Sequence, residues 1–167
     1  KMNYRIFVEK REDFRVETQN LFSDLKENIG ISGLRDVRVL NIYDVFNLGE
    51  NDLEKLERTV FSEINADNVF RSLDEVFEEK NSENVYFSVE FLPGQYDQRA
   101  DSAIQCVNLL IDKNNNINVK SGKLIILYGK ISPEELAKTK IEASIGPTQG
   151  VQPKLKVTPN IKVEIIL

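Results

Sequence analysis

The sequence predicts an α+β domain made of two similar βαβα halves in a pseudo-twofold arrangement, with antiparallel or mixed sheets covered by helices. Three observations lead there. Short runs rich in β-branched and aromatic residues are each followed by a stretch whose apolar residues recur at helical spacing. The order strand, helix, strand, helix occurs twice. The second occurrence also lies on the first at a slowly drifting offset. Val8-Glu9 matches Val89-Glu90 at 81 residues, and Leu21, Phe22, Leu25 and Ile29 match Ala103, Ile104, Val107 and Ile111 at 82. Leu48 to Lys55 lies on Ile131 to Lys138 at 83, and Tyr43 on Tyr128 at 85. Small loop insertions produce such drift, and a duplicated unit lets each half cover the sheet face or edge of the other. The boundaries that follow are 2–60 for the first half, 61–84 for a connection, 85–143 for the second half and 144–167 for a divergent tail or linker.

Each element has a local reason. Tyr4 to Lys10 is a strand bounded by Arg11-Glu12-Asp13, with Asp13 placed to cap the helix that carries the stripe Leu21, Phe22, Leu25 and Ile29. Gly30 and Gly33 stop that helix. Val37 to Phe46 is a long strand, and Gly49 to Asp52 opens a second helix carrying Leu53, Leu56 and Val60, its first-turn acids favoured by the helix dipole. Ser62 to Asn84 is polar and acidic and is read as irregular with one short helical turn. The second half begins with a strand over Val85 to Leu92 and the turn Pro93-Gly94, followed by a helix from about Gln98 to Ile111. An Asn-rich loop then precedes a strand over Val119 to Tyr128. Ser132-Pro133-Glu134-Glu135 carries a capping box: a serine N-cap, proline at the first helical position and glutamate three residues after the serine. Glycines and prolines punctuate the last twenty or so residues before Ile161 to Leu167, which alternates like a strand and could either add to a sheet edge or mark the start of a linker.

Charge and composition exclude several classes. With 27 acidic against 22 basic residues and no basic block, the chain lacks the footprint of a nucleic-acid binder. Its apolar runs are too short to span a bilayer and no signal segment opens it, so a cytoplasmic location is expected. One cysteine rules out an internal disulfide framework, and the absence of histidine removes the commonest general base and metal ligand. No phosphate loop is present, because neither Pro93-Gly94 nor Gly30-Ile31-Ser32-Gly33 has the required spacing or lysine. Cys106 lies beside its helix's apolar stripe and is expected to be a buried structural thiol. The acids Asp74-Glu75 and Glu78-Glu79 are expected on a solvated face.

One stretch has surplus polarity. Pro93, Gly94, Gln95, Tyr96, Asp97, Gln98, Arg99 and Asp101 form a polar turn leading into a helix, and two readings of it stand. Unpaired N–H groups at the helix start, with Arg99 beside them, could receive a phosphate or a partner's carboxylate. Alternatively the polarity is local: Asp97 caps the helix, Gln95 and Arg99 tie the turn down, and Asp101 pairs with Arg99 or a lysine.

The phrases VEFLPGQYDQRADSAIQCVNLL and FVEKREDFRVETQNLFSDLKENIGISGLRDVRVLNIYDV resemble the N-terminal region of the large, single-chain form of phosphoribosylformylglycinamidine synthase. In that family this region is similar to a fused pair of the small PurS subunit. The resemblance covers Met2 to Lys140, includes Thr59 to Glu63 between the halves, and does not extend over Ile145 to Leu167. It implies a role in purine biosynthesis, in an amidoligase that uses ATP and glutamine to convert formylglycinamide ribonucleotide to its amidine. The nucleotide, Mg2+ and glutaminase chemistry would belong to other domains, so this segment would hold no cofactor and no catalytic residue. It would dock on the synthetase and glutaminase domains and help enclose the path for ammonia. The rival expectation is a stand-alone binding or regulatory module, a homodimer that takes an anionic metabolite near Gln98.

Overall fold

A computed structural model describes residues 3–92, 94–111 and 116–145 of the chain. The protein is α+β, and its described residues form a five-stranded antiparallel sheet and five α-helices. The strands are β1 (Asn3–Lys10), β2 (Leu34–Phe46), β3 (Asp67–Phe70), β4 (Asn84–Glu90) and β5 (Asn118–Gly129), and they lie in the order β3-β1-β2-β5-β4. The helices are α1 (Val16–Ser23), α2 (Glu50–Thr59), α3 (Leu73–Glu79), α4 (Gln98–Leu110) and α5 (Pro133–Ile145). β1 pairs with β2, Ile6 opposite Tyr43, and along its other edge with β3, Phe7 opposite Phe70.

Several expectations are met and several are corrected. Ser132 and Glu135 close the capping box reciprocally, at 2.9 and 3.1 Å. Asp13 caps nothing: it lies in a 3-10 turn, Glu12–Phe14, and α1 starts at Val16 without a side-chain cap. The first helix is also not uniform, since α1 passes into a wider π-type segment, Asp24–Ile29, that ends at Gly30. The stretch read as irregular with one short helical turn has its helical turn in α3 and also contains a strand, β3. Its strand escaped the sequence because four residues, DNVF, carry only a weak alternation, whereas β1 offers them a sheet edge that local propensity does not record. The expectations for the tail from residue 146 onward and for Pro93 lie outside the described residues.

The chain forms two compact units. The first takes the described residues of Lys1–Phe14, Leu40–Glu79 and Tyr96–Gly122; the second takes those of Arg15–Val39, Lys80–Gln95 and Lys123–Leu167. These are not the sequence halves. In the first unit Ile6, Val8, Tyr43, Val45, Leu53 and Leu56 share a core with Ala103 and Val107 of α4. In the second, Phe87, Val89, Ile125, Leu127 and Leu136 share a core with Leu25, from the end of the first helix. Each half therefore lends its first helix to the other half's core. The positions matched in the sequence take matching places. Val8 and Val89, Leu25 and Val107, and Leu53 and Leu136 are buried pair by pair, one member in each core. Residues on the opposite pleat, among them Phe7, Leu40, Leu124 and Ile126, are buried as well.

Candidate functional site

The polar turn resolves into parts with separate duties. In the second unit Gly94 takes a positive φ of 86°, and Gln95 closes the turn by accepting from the Leu92 N–H at 2.9 Å and donating its own N–H to the Leu92 carbonyl at 3.0 Å. In the first unit Asp97 is the N-cap of α4, accepting from Ala100 N at 2.9 Å. Its carboxylate also accepts from the Ser121 amide at 2.7 Å and the Ser121 hydroxyl at 2.6 Å, so the start of α4 is pinned to β5. Among the described residues Asp101 pairs with neither Arg99 nor a lysine. It accepts instead from the Tyr96 hydroxyl at 2.9 Å and from the Gln105 amide at 3.1 Å. That hydrogen bond raises the pKa of the exposed Tyr96 phenol above its ordinary value. Arg99 does not tie the turn down, because its side chain is exposed and has no partner among the described residues. Gln98 is exposed beside it. The local reading thus accounts for Gln95 and Asp97, and Arg99 is left available to another molecule.

Cys106 is exposed, contrary to expectation. The buried side of α4 is Ala100, Ala103 and Val107. At about 100° per residue Cys106 falls about 90° from the middle of that stripe, so sequence adjacency to it does not amount to burial. The same rotation sets Arg99, Ser102, Cys106, Leu109 and Leu110 along one outward strip. All five are exposed, Leu109 at 82% and Leu110 at 43%.

A second place, not anticipated from the sequence, is a pocket of about 620 Å3 in the first unit, where the end of β1, the end of α2, β3 and α3 converge. Three arginines, Arg11, Arg58 and Arg71, and three acids, Glu57, Asp67 and Glu75, line it. Arg71 donates through both Nε and Nη2 to Glu57 at 2.7 Å. The hydrogen-bonded carboxylate outweighs desolvation and holds the Arg71 pKa above its usual range. Asp67 is buried, 3.0 Å from Lys10 Nζ, and accepts from Glu63 N at 2.7 Å. Glu75 accepts from the Arg71 amide at 2.7 Å. The two ion pairs join residues 14 and 57 positions apart (71 − 57 and 67 − 10), so no short motif could have announced them.

Among the described residues no group of three or more His, Cys, Asp or Glu side chains could hold a metal ion, and no helix is long and apolar enough to cross a membrane. Set against protein-family models, curated proteins and solved structures, the chain shows no significant match.

Proposed function

We propose that this chain is a non-catalytic, PurS-like module of phosphoribosylformylglycinamidine synthase that docks on the synthetase and glutaminase parts and supports ammonia transfer between them. The choice of enzyme rests on the wording of the sequence around Leu92 to Ala103. The observation that supports docking is the outward strip of α4, in which an unpartnered arginine and two exposed leucines lie on a helix whose start is fixed by Asp97. Apolar side chains flanked by arginine on a rigid element match the composition of interface centres, and their burial on association would offset the loss of translational freedom. In this reading ATP and Mg2+ are held by the other domains.

The test is reconstitution. The chain, mixed with the synthetase and glutaminase polypeptides of the same source, is expected to co-elute with them in gel filtration and to restore glutamine-dependent amidine formation. Arg99→Ala combined with Leu109→Ser is expected to weaken association by about tenfold or more. Absence of co-elution at micromolar concentrations overturns the proposal.

A further inference from the structure

We propose that the arginine-lined pocket of the first unit is a binding site for a small soluble phosphate compound, held by Arg58 and Arg11. Every acid in the lining is already engaged: Glu57 by Arg71, Asp67 by Lys10 and the Glu63 amide, and Glu75 by the Arg71 amide. The cations are not. Arg58 makes no side-chain hydrogen bond or ion pair among the described residues, and Arg11 donates only a long bond, 3.3 Å, to the Ile64 carbonyl. Setting aside the pairs Arg71–Glu57 and Lys10–Asp67, the lining holds two further guanidinium groups, Arg58 and Arg11, and one further carboxylate, Glu75. Arg58 and Arg11 are thus left without a carboxylate partner among the described residues, in a protein of net charge -5.

The chemistry of the lining favours phosphate. A guanidinium presents a planar fork of N–H donors that matches phosphate oxygens, and two of them meet a dianion better than a monocarboxylate. The Asn68 side-chain amide, without a partner of its own, adds a neutral donor and acceptor for the rest of the ligand, and Ile64 and Val69 supply apolar wall. About 620 Å3 suits a metabolite-sized molecule. β3 and α3, which build one side of the pocket, lie in the connection between the halves. The Arg71–Glu57 pair fastens that connection to α2 and so sets the pocket's shape. This inference is independent of the docking role proposed for α4.

The experiment is titration of the full chain with pyrophosphate and inorganic phosphate at low ionic strength, followed by calorimetry and by the arginine Nε–H signals in NMR. Binding is expected to move the Arg58 and Arg11 signals in the unmodified protein. Arg11→Gln combined with Arg58→Gln, both exposed positions, is expected to weaken pyrophosphate binding by about tenfold or more, while Arg99→Gln leaves it intact. No heat at millimolar probe, binding undiminished in the double variant, or binding lost with Arg99→Gln each overturns the assignment, the last by moving the site to the start of α4.

Discussion

Asp97 performs three tasks with one carboxylate. Oδ1 accepts from the Ala100 amide and the Ser121 hydroxyl while Oδ2 accepts from the Ser121 amide, so all three partners are donors and only an acceptor at both oxygens satisfies them. Asp97→Ala is expected to cost about 2–4 kcal/mol in urea unfolding, as the sum of a lost cap and the loss of charge-assisted bonds to Ser121. Asp97→Asn should recover part of it, because the amide keeps one acceptor but turns N–H toward N–H at Ser121. Equal stability of the alanine variant and the wild type would refute this account. Tyr96 offers a pH test. Its phenol, as donor to Asp101, titrates above the ordinary tyrosine value of about 10. The raised value means that the neutral phenol is favoured in the folded protein. Whatever the bond contributes is complete below the ordinary value and is lost as pH rises through the raised one. The phenolate absorbance difference between wild type and Tyr96→Phe should move to lower pH when Asp101→Asn is added; an unmoved midpoint would show that Asp101 is not the cause. At this scale the sequence was readable in part. The cap at Asp97 is visible from its position before Gln98, whereas Ser121 is 24 residues on, and only folding brings it to the same carboxylate.

Two strand ends in the second unit meet through glycines. A Cβ on Gly129, whose φ is 123°, would lie 2.0 Å from the Gly33 carbonyl oxygen, and one on Gly33 would lie 2.3 Å from the Lys130 carbonyl oxygen. Both obstacles are backbone, which cannot swing aside as a side chain would. Gly33→Ala and Gly129→Ala are each expected to destabilise by about 2–4 kcal/mol in thermal or chemical unfolding, Gly129 the more because its backbone conformation adds strain. The sequence marked Gly33 only as a helix stop, a local duty that Gly30 already performs as the αL C-cap of the preceding helical segment. The close approach that demands glycine comes from a partner nearly a hundred residues away (129 − 33 = 96). The same limitation hid β3, whose partner is β1, and hid the Arg71–Glu57 pair that joins the end of β3 to α2.

For the molecule as a whole, the exchange of helices has a direct consequence. The core holding Ile6, Val8 and Leu56 is completed by Ala103 and Val107 of α4, and Val107 is fully buried. A fragment of residues 2–84 therefore retains β1, β2 and α2 but lacks the helix that closes their core. It is expected to show no cooperative unfolding transition and poor amide dispersion in NMR, although the sequence halves read as separable units. A fragment of residues 85–145 lacks Leu25, also fully buried, and should behave the same way. In the intact chain Val107→Ala and Leu25→Ala should each cost about 2–3 kcal/mol, from lost burial plus the cavity left behind. A well-folded 2–84 fragment would contradict the exchanged arrangement.

What the sequence determined by itself is local or periodic: the class of fold, the order of elements, the repeat near 82 residues, the cap at Asp97 and the capping box at Ser132 and Glu135. Helical spacing, strand alternation and cap chemistry act over a few residues, so they can be read along the chain. The tertiary structure alone decided which helix serves which core, that Cys106 faces outward, that Asp101 holds Tyr96 and Gln105, and that Arg11, Arg58 and Arg71 line one pocket. These depend on contacts across many residues, where the energy of a buried apolar face or a desolvated ion pair selects among pairings that local preference leaves equal.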